Sequence, residues 1–266
     1  MRKIKSLIYI AFALLFSSCA LPKEKISGDG DIIEKGYTFE AIVYQLKIEN
    51  FSMLTFPVTI KFIAGTEPKI TIKADTNIME EIRVETKKNA ISISGQKHTV
   101  YDATELQINV SNLLISKISL QGNYKIVSDI TNFTENFSLV ANGTLSGNID
   151  FASVSNQLKV EINGTADFLI NNVAVLFFKL TSTGDIVLSL NGIANNAHIN
   201  GAGRITLEAP FFKCEDIYLF LDGVVNVIVY PIKTLTITAE GVGKIKYRGN
   251  PEITRGTKGD FAISPY

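Results

Sequence analysis

The amino-acid sequence predicts an all-β fold in which the chain coils into a β-solenoid. Two observations indicate strands. The 266 residues are 46% hydrophobic and include 16 Phe and 9 Tyr but no Trp, and apolar and polar residues alternate along most of the chain, which is the period of strands with one buried face. A third observation indicates stacking, because a phrase built around a glycine recurs about eight times in the C-terminal half.

The N-terminal segment predicts export. Three basic residues lie within the first five positions, an apolar run spans 7–16, and Cys19 follows two serines. The run is too short to cross a bilayer comfortably, which favours a cleaved signal peptide over residues 1–18. Phe-Ser-Ser-Cys resembles a bacterial lipobox, so we expect Cys19 to be lipidated as the first residue of the mature chain. An ordinary signal peptide with an incidental cysteine is the alternative.

The remaining chain divides by composition. Residues 19–30 are polar and glycine-bearing, which predicts a tether. Residues 31–266 are expected to form a single solenoid domain. Within it, 31–115 are β-patterned but lack the recurring glycine, and they are interpreted as irregular early rungs or a cap. Residues 116–266 carry the regular repeats.

The repeat is strand–turn–strand, as in LKVEINGTADFLI at 158–170. Aligned on the first turn residue, the copies are 16 to 22 residues apart and place these residues together: Gly122, Gly143, Gly164, Ser182, Gly201, Gly223, Gly241 and Thr257. The alternation, continued through the turn, predicts that this residue and the one two later face inward, where only small side chains fit. The turn glycines are Gly122, Gly143, Gly164, Gly184, Gly201, Gly203, Gly223, Gly241, Gly243 and Gly259.

One such unit is too small to bury its own apolar face, so the units must stack, as in a solenoid. Strand pairs joined by Asn-Gly turns also build hairpin meanders and β-barrels, and periodicity alone leaves that alternative open.

The repeated phrase, Gly-x-Gly followed by a polar and an aliphatic residue, carries a family resemblance together with segment 58–94 and Tyr247-Arg248-Gly249-Asn250-Pro251. Over roughly 37–263 the chain resembles the bacterial family named putative auto-transporter adhesin, head GIN domain. The resemblance implies a right-handed, single-stranded, pectin-lyase-like β-helix, often exported as a lipoprotein. It also implies a role in cell adhesion, with no recognised catalytic residues.

The charge balance argues against a nucleic-acid ligand. The formal net charge is +0, and removal of residues 1–18 leaves 23 basic and 26 acidic residues with no basic stripe. No cofactor motif is present. Cys214 follows Phe211 and Phe212 closely, which predicts a packed and inert thiol.

A polar lane follows the turns and is the candidate for chemistry. It contains Lys125, Ser146, Asp167, Asp185, Arg204, Asn226, Lys244 and Asp260. If each repeat is one rung, Asp167 and Asp185 stack and form a weak cation-site candidate. Two carboxylates fall short of the roughly 6–8 oxygens that Ca²⁺ takes, so a solvated charged surface is the favoured interpretation and no metal is expected.

Three functions are considered, in this order. The first is a non-catalytic, lipid-anchored envelope module that binds a protein or glycan, with Tyr218 and Phe220 as outward aromatic contacts. The second is a structural solenoid that self-associates into homo-oligomers. The third is a polysaccharide-active enzyme. We expect an exported outer-membrane lipoprotein, with its orientation toward the cell surface or the periplasm left open.

Overall fold

The computed structural model describes residues 24–40, 42–128, 133–151 and 155–266; the predicted signal peptide and Cys19 lie outside these ranges. The all-β prediction is confirmed. The described residues contain no helix long and apolar enough to span a membrane. They form 13 strands and one short helix: β1 Glu24–Ser27, β2 Ile32–Thr38, β3 Val43–Met53, β4 Val58–Ile63, β5 Lys69–Asp75, α1 Thr76–Met79, β6 Arg83–Lys87, β7 Ala90–Ser94, β8 Thr99–Asp102, β9 Leu106–Ser111, β10 Leu114–Ser128, β11 Phe133–Asp150, β12 Ser155–Tyr247 and β13 Glu252–Pro265.

The C-terminal half is a stack of parallel ladders. β10 pairs with β11, β11 with β12, and β12 with β13, each in parallel, with Gly122 opposite Gly143 and Gly241 opposite Gly259. Successive stretches of chain therefore lie on one another in the same direction. A hairpin meander requires antiparallel neighbours, so the ladders argue against it here. We call each stretch of chain in this stack a passage.

The N-terminal half is a mixed sheet that covers the first passages. β3 pairs in parallel with β7, β8 and β10. By contrast, β2 pairs antiparallel with β5, and β5 pairs antiparallel with β9. The first part of β10 pairs with β3, and its second part, from Tyr124 to Ser128, pairs with β4. The strand β10 therefore joins the irregular part of the sheet to the regular stack.

Residues 24–27, part of the segment 19–30 that the sequence predicts as a tether, form the strand β1. β1 pairs in parallel with β8, from Glu24 opposite Thr99 to Ser27 opposite Asp102. The following residue, Gly28, donates its backbone N–H to the Asp102 carbonyl at 2.9 Å. Residues 24–28 are thus joined to β8 through the backbone.

The core is a continuous column of alternate side chains. In β12, for example, Leu158, Val160 and Ile162 are buried while the residues between them are partly exposed. Four phenylalanine rings join the two halves, with the centroids of contacting rings 4.0 to 5.8 Å apart: Phe62, Phe133, Phe137 and Phe151. Burial of large apolar side chains from every passage supplies the main stabilising term.

The observed register differs from the sequence alignment by two residues in three copies. The structure stacks Gly184 rather than Ser182 on Gly164, then Gly203 rather than Gly201, and finally Gly259 rather than Thr257 on Gly241. The stacked residues form a glycine column of eight members, 18 to 21 residues apart: Gly122, Gly143, Gly164, Gly184, Gly203, Gly223, Gly241 and Gly259.

The physical reason for the glycine column also differs from the prediction. Its members lie on the outside of a corner and have φ between +108° and +138°. From Gly143 onward, a Cβ on each would lie less than 3.0 Å from the carbonyl oxygen of the glycine one passage earlier. Gly201 follows the predicted reason instead, because it is buried and a Cβ there would press on Ile205 and Leu221.

Candidate ligand-binding groove

The register separates the two carboxylates that the sequence alignment placed together. Ser146 lies opposite Asp167, as predicted, but the stacking of Gly184 on Gly164 places Val187 beside Asp167. Asp185 lies directly after the glycine column, where its Oδ2 is 3.8 Å from Nη1 of Arg204. The continuous polar lane of the prediction is therefore two separate lanes.

The structure adds no metal ligands to these carboxylates. The side chains of Asp185 and Arg204 are 56% and 72% exposed, so their ion pair is screened by solvent. Within the described ranges, no group of three or more His, Cys, Asp and Glu side chains is arranged to hold a metal ion. The geometry is that of a solvated charged surface.

The Cys214 thiol is packed in the core. Its Sγ is 3.4 Å from the Asn195 carbonyl oxygen and 3.2 Å from that of Asp216. Burial raises the pKa of the thiol to about 12, which keeps it protonated and poorly nucleophilic at neutral pH. The position offers no covalent chemistry.

An open groove of about 480 Å³ runs across five passages immediately before the glycine column. One wall consists of the residues three positions before each column glycine, and the other wall consists of the residues one position before it. The side chains at both positions point outward. Phe220 and Asp222 are one such pair, and Leu221 between them points into the core. The lining residues, which define the binding groove, are Thr181, Ser182, Thr183, Asn200, Gly201, Ala202, Phe220, Leu221, Asp222, Thr238, Ala239, Glu240, Gly256 and Lys258.

The walls of the binding groove combine an aromatic face with hydrogen-bonding groups. Phe220 is 41% exposed and shares its lane with Asn200. On the opposite wall Asp222 is followed by Glu240, whose carboxylate is 3.7 Å from the Lys258 ammonium. Such a surface offers apolar contact and charged acceptors to the same ligand.

Two further rings extend the aromatic face beyond the groove. His198 and Tyr218 each lie two residues before a wall residue and therefore point outward on the same side of the strand. Their rings are stacked, with centroids 4.6 Å apart and an interplanar angle of 25°. This stacking gives His198 an aromatic partner on the outer face.

Sequence reasoning identified Tyr218 and Phe220 but not the groove. Asp222 and Glu240 are visible in the sequence as polar residues directly before a column glycine. Their alignment with Ala202 and Thr183 required the observed register. Ala202 and Thr183 precede the column glycines Gly203 and Gly184, whereas the sequence alignment used Gly201 and Ser182.

The comparison with protein families gives a match over most of the chain. The family model for the putative auto-transporter adhesin, head GIN domain, matches residues 53–251. The chain belongs to this family. The matched range of the head GIN domain includes most of the binding groove and ends just before Gly256 and Lys258, which close it.

Solved structures with the same architecture come from Parabacteroides and Bacteroides. A putative lipid binding protein from Parabacteroides distasonis is 14% identical, with TM-score 0.78 over 91% of this chain and 100% of that one. A putative adhesin from Parabacteroides merdae is 14% identical, with TM-score 0.75 over 91% and 99%. A putative adhesin from Bacteroides fragilis is 19% identical, with TM-score 0.62 over 91% and 100%. At these identities the likeness shows the fold, and no curated protein gives a match.

Proposed function

We propose that the protein is a non-catalytic binding module of the cell envelope that holds an extended, hydroxyl-rich glycan in the binding groove. The observation that carries this proposal is that exposed Phe220 and Asp222 lie side by side on the outer face of one strand, with polar residues at one or both equivalent positions of the other passages. Sugar C–H faces pack on aromatic rings, and sugar hydroxyls donate hydrogen bonds to carboxylates and amides. Membership of an adhesin-like family supports the same role.

The proposal includes a right-handed, single-stranded β-solenoid for the stacked C-terminal half, with the N-terminal mixed sheet as its irregular first part. The parallel ladders and the glycine column support it, since every passage repeats the same corner. Neighbouring passages of such a stack are about 4.8 Å apart, so a groove across five of them is about 20 Å long. That length suits an extended polymer better than a single small molecule.

A polysaccharide-active enzyme is the weaker alternative. The groove contains two carboxylates and a lysine, but the Glu240 side chain is 69% exposed and pairs with Lys258. General acids of glycosidases use apolar, desolvated surroundings, which an exposed carboxylate does not have. Binding without turnover therefore agrees better with the geometry.

The location is part of the proposal. We propose an exported outer-membrane lipoprotein anchored through Cys19, on the evidence of the N-terminal sequence pattern. The adhesin descriptions of the family and of two structural neighbours support exposure at the cell surface. Labelling intact cells with a membrane-impermeant reagent tests this orientation, since a periplasmic protein would stay unlabelled.

A glycan array with the chain from Ala20 onward, which keeps every described residue, tests the binding proposal. Phe220→Ala and Asp222→Asn should each weaken binding to the captured glycan at least tenfold, because each removes one wall of the groove. Phe177→Ala is the matched control, since Phe177 is 48% exposed and lies outside the groove. Equal binding by all three variants would refute the groove, and release of shortened glycan would indicate an enzyme.

A further inference from the structure

A second surface feature lies after the glycine column, on the last passages of the stack. It combines three cations with exposed aromatic and aliphatic side chains. We call it the cation–aromatic patch, and its members are Phe211, Lys213, Tyr230, Ile232, Lys246, Arg248 and Tyr266. It is separate from the binding groove.

Arg248 occupies the centre of the cation–aromatic patch. Its guanidinium carbon is 5.4 Å from the ring centroids of both Phe211 and Tyr230. One Nη1–H donates to the Pro210 carbonyl oxygen at 3.0 Å. The Arg248 backbone N–H also donates to the Val229 carbonyl at 2.9 Å, which keeps the residue in register with the preceding passage. The guanidinium is therefore held in place and not merely exposed.

The two lysines of the cation–aromatic patch follow the same arrangement. The Nζ of Lys213 is 5.8 Å from the Tyr230 ring centroid, and the Nζ of Lys246 is 5.7 Å from that of Tyr266. Tyr266 is tied to the stack through its backbone N–H, which donates to the Tyr247 carbonyl at 2.8 Å. Each cation thus lies over a ring.

The cation–aromatic patch also exposes large apolar and aromatic side chains. Phe211, Ile232 and Tyr266 are 66%, 51% and 62% exposed. Among the ion pairs of the described ranges, none includes a cation of the patch. Since the whole chain has a net charge of +0, the positive charge is a local feature.

We propose that the cation–aromatic patch docks on an anionic lipid bilayer. Lys and Arg attract acidic headgroups, and aromatic rings favour the depth where headgroups meet acyl chains. A soluble polyanion would pair with the cations but leave Phe211 and Ile232 in water, so the bilayer satisfies both halves of the patch. Docking here would give the protein a membrane contact that does not depend on Cys19 or on the groove.

Co-sedimentation with vesicles tests the docking. The chain from Ala20 onward, which lacks Cys19, should bind vesicles of phosphatidylcholine with 30% phosphatidylglycerol, and binding should weaken as salt is raised. Each cation contributes about 1 kcal/mol near an anionic surface, which is about fivefold in partitioning. The variant with Lys213→Gln and Lys246→Gln should therefore bind roughly 25-fold more weakly. Phe211→Ser should weaken binding with the charge unchanged.

The control removes equal charge elsewhere. Lys125→Gln with Lys244→Gln changes two exposed lysines outside the cation–aromatic patch and should bind as the unaltered chain does. Thermal unfolding checks that every variant is folded. Equal loss in the control pair, or equal binding to pure phosphatidylcholine, would overturn the proposal. So would tight binding to a soluble polyanion that Phe211→Ser leaves unchanged.

Discussion

Gly203 lies in the middle of the glycine column, where φ is +110° and a Cβ would overlap the carbonyl group of Gly184. Alanine there must adopt a strained left-handed conformation and push apart two passages. We expect Gly203→Ala to lower the free energy of unfolding by about 2–5 kcal/mol. Urea unfolding followed by circular dichroism measures the loss.

Gly256 provides the matched control, because its φ is not left-handed and a Cβ there would meet no atom within 4 Å. Gly256→Ala should change stability by less than about 0.5 kcal/mol. If the two substitutions cost the same, the glycine column has no special conformational role.

Asp75 is a fully buried carboxylate at the end of β5. It accepts hydrogen bonds from the Gly30 and Thr104 backbone N–H groups at 3.0 and 2.7 Å. Burial alone would raise the pKa of this carboxyl, but hydrogen bonds from Thr104, Gly30 and Glu105 hold the pKa below its ordinary value of 3.8. The ionised group therefore stabilises the junction between the N-terminal turn and the sheet.

We expect Asp75→Asn to lower the free energy of unfolding by about 1–3 kcal/mol at pH 7, because the amide cannot accept every bond that the carboxylate accepts. Because the pKa of Asp75 is lower in the folded protein than in the unfolded chain, its carboxylate contributes its full stability above pH 3.8. That contribution is lost as the pH falls through the pKa of the folded protein. The difference between the two proteins should thus shrink in strong acid. A difference independent of pH, measured by urea unfolding, would contradict this account.

At the scale of the element, alternation predicts which strand residues face the core but not how passages align. Gly201 and Gly203 are two residues apart, so both satisfy the same period and alternation cannot choose between them. The choice depends on backbone conformation, because Gly203 has positive φ and Gly201 does not. The mixed ladders of β2 to β9 were beyond prediction for a related reason, since pairing between distant strands has no local sequence signal.

β13 is the last strand that the structure describes. Its ladder to β12 places Arg255 opposite Ile237, in a lane that is buried and aliphatic in the preceding passages, as at Leu180, Ile199 and Leu219. A charged side chain in the inward-facing lane of an edge strand disfavours the pairing of another strand with that edge. Arg255 therefore disfavours end-to-end self-association through β13, the second function considered from the sequence.

Arg255→Ile restores the aliphatic lane beside the partly buried Ile253 and Phe261. We expect the variant to self-associate at concentrations where the unaltered chain does not, as measured by sedimentation velocity. Arg204→Ile is the control, because it adds the same side chain on the outer face. Unchanged sedimentation of Arg255→Ile would mean that other features protect the edge.

At the scale of the whole molecule, the fold class follows from local patterns but the binding groove does not. Phe220, Glu240 and Thr181 come from separate passages and meet only through the cumulative register of the stack. The copies aligned on Ser182, Gly201 and Thr257 are each two residues out of the observed register. That shift takes their wall residues out of the lanes of Phe220 and Asp222, which is why the sequence indicated single aromatic contacts and no groove. The cation–aromatic patch depends on the same register, since Tyr230 and Arg248 lie in successive passages.

The stacked architecture also predicts how damage spreads. If the C-terminal half is a solenoid, as proposed, each passage contacts only its neighbours, so a defect loosens the adjoining stack before the distant sheet. In the Gly203→Ala chain, amide hydrogen exchange should quicken in β13 and in β12 beyond residue 203, while β5 and β9 keep their protection. Asp75→Asn should show the reverse, with faster exchange in β2 and β5, which meet at Asp75. Uniform acceleration along both chains would indicate one cooperative unit and would contradict passage-by-passage coupling.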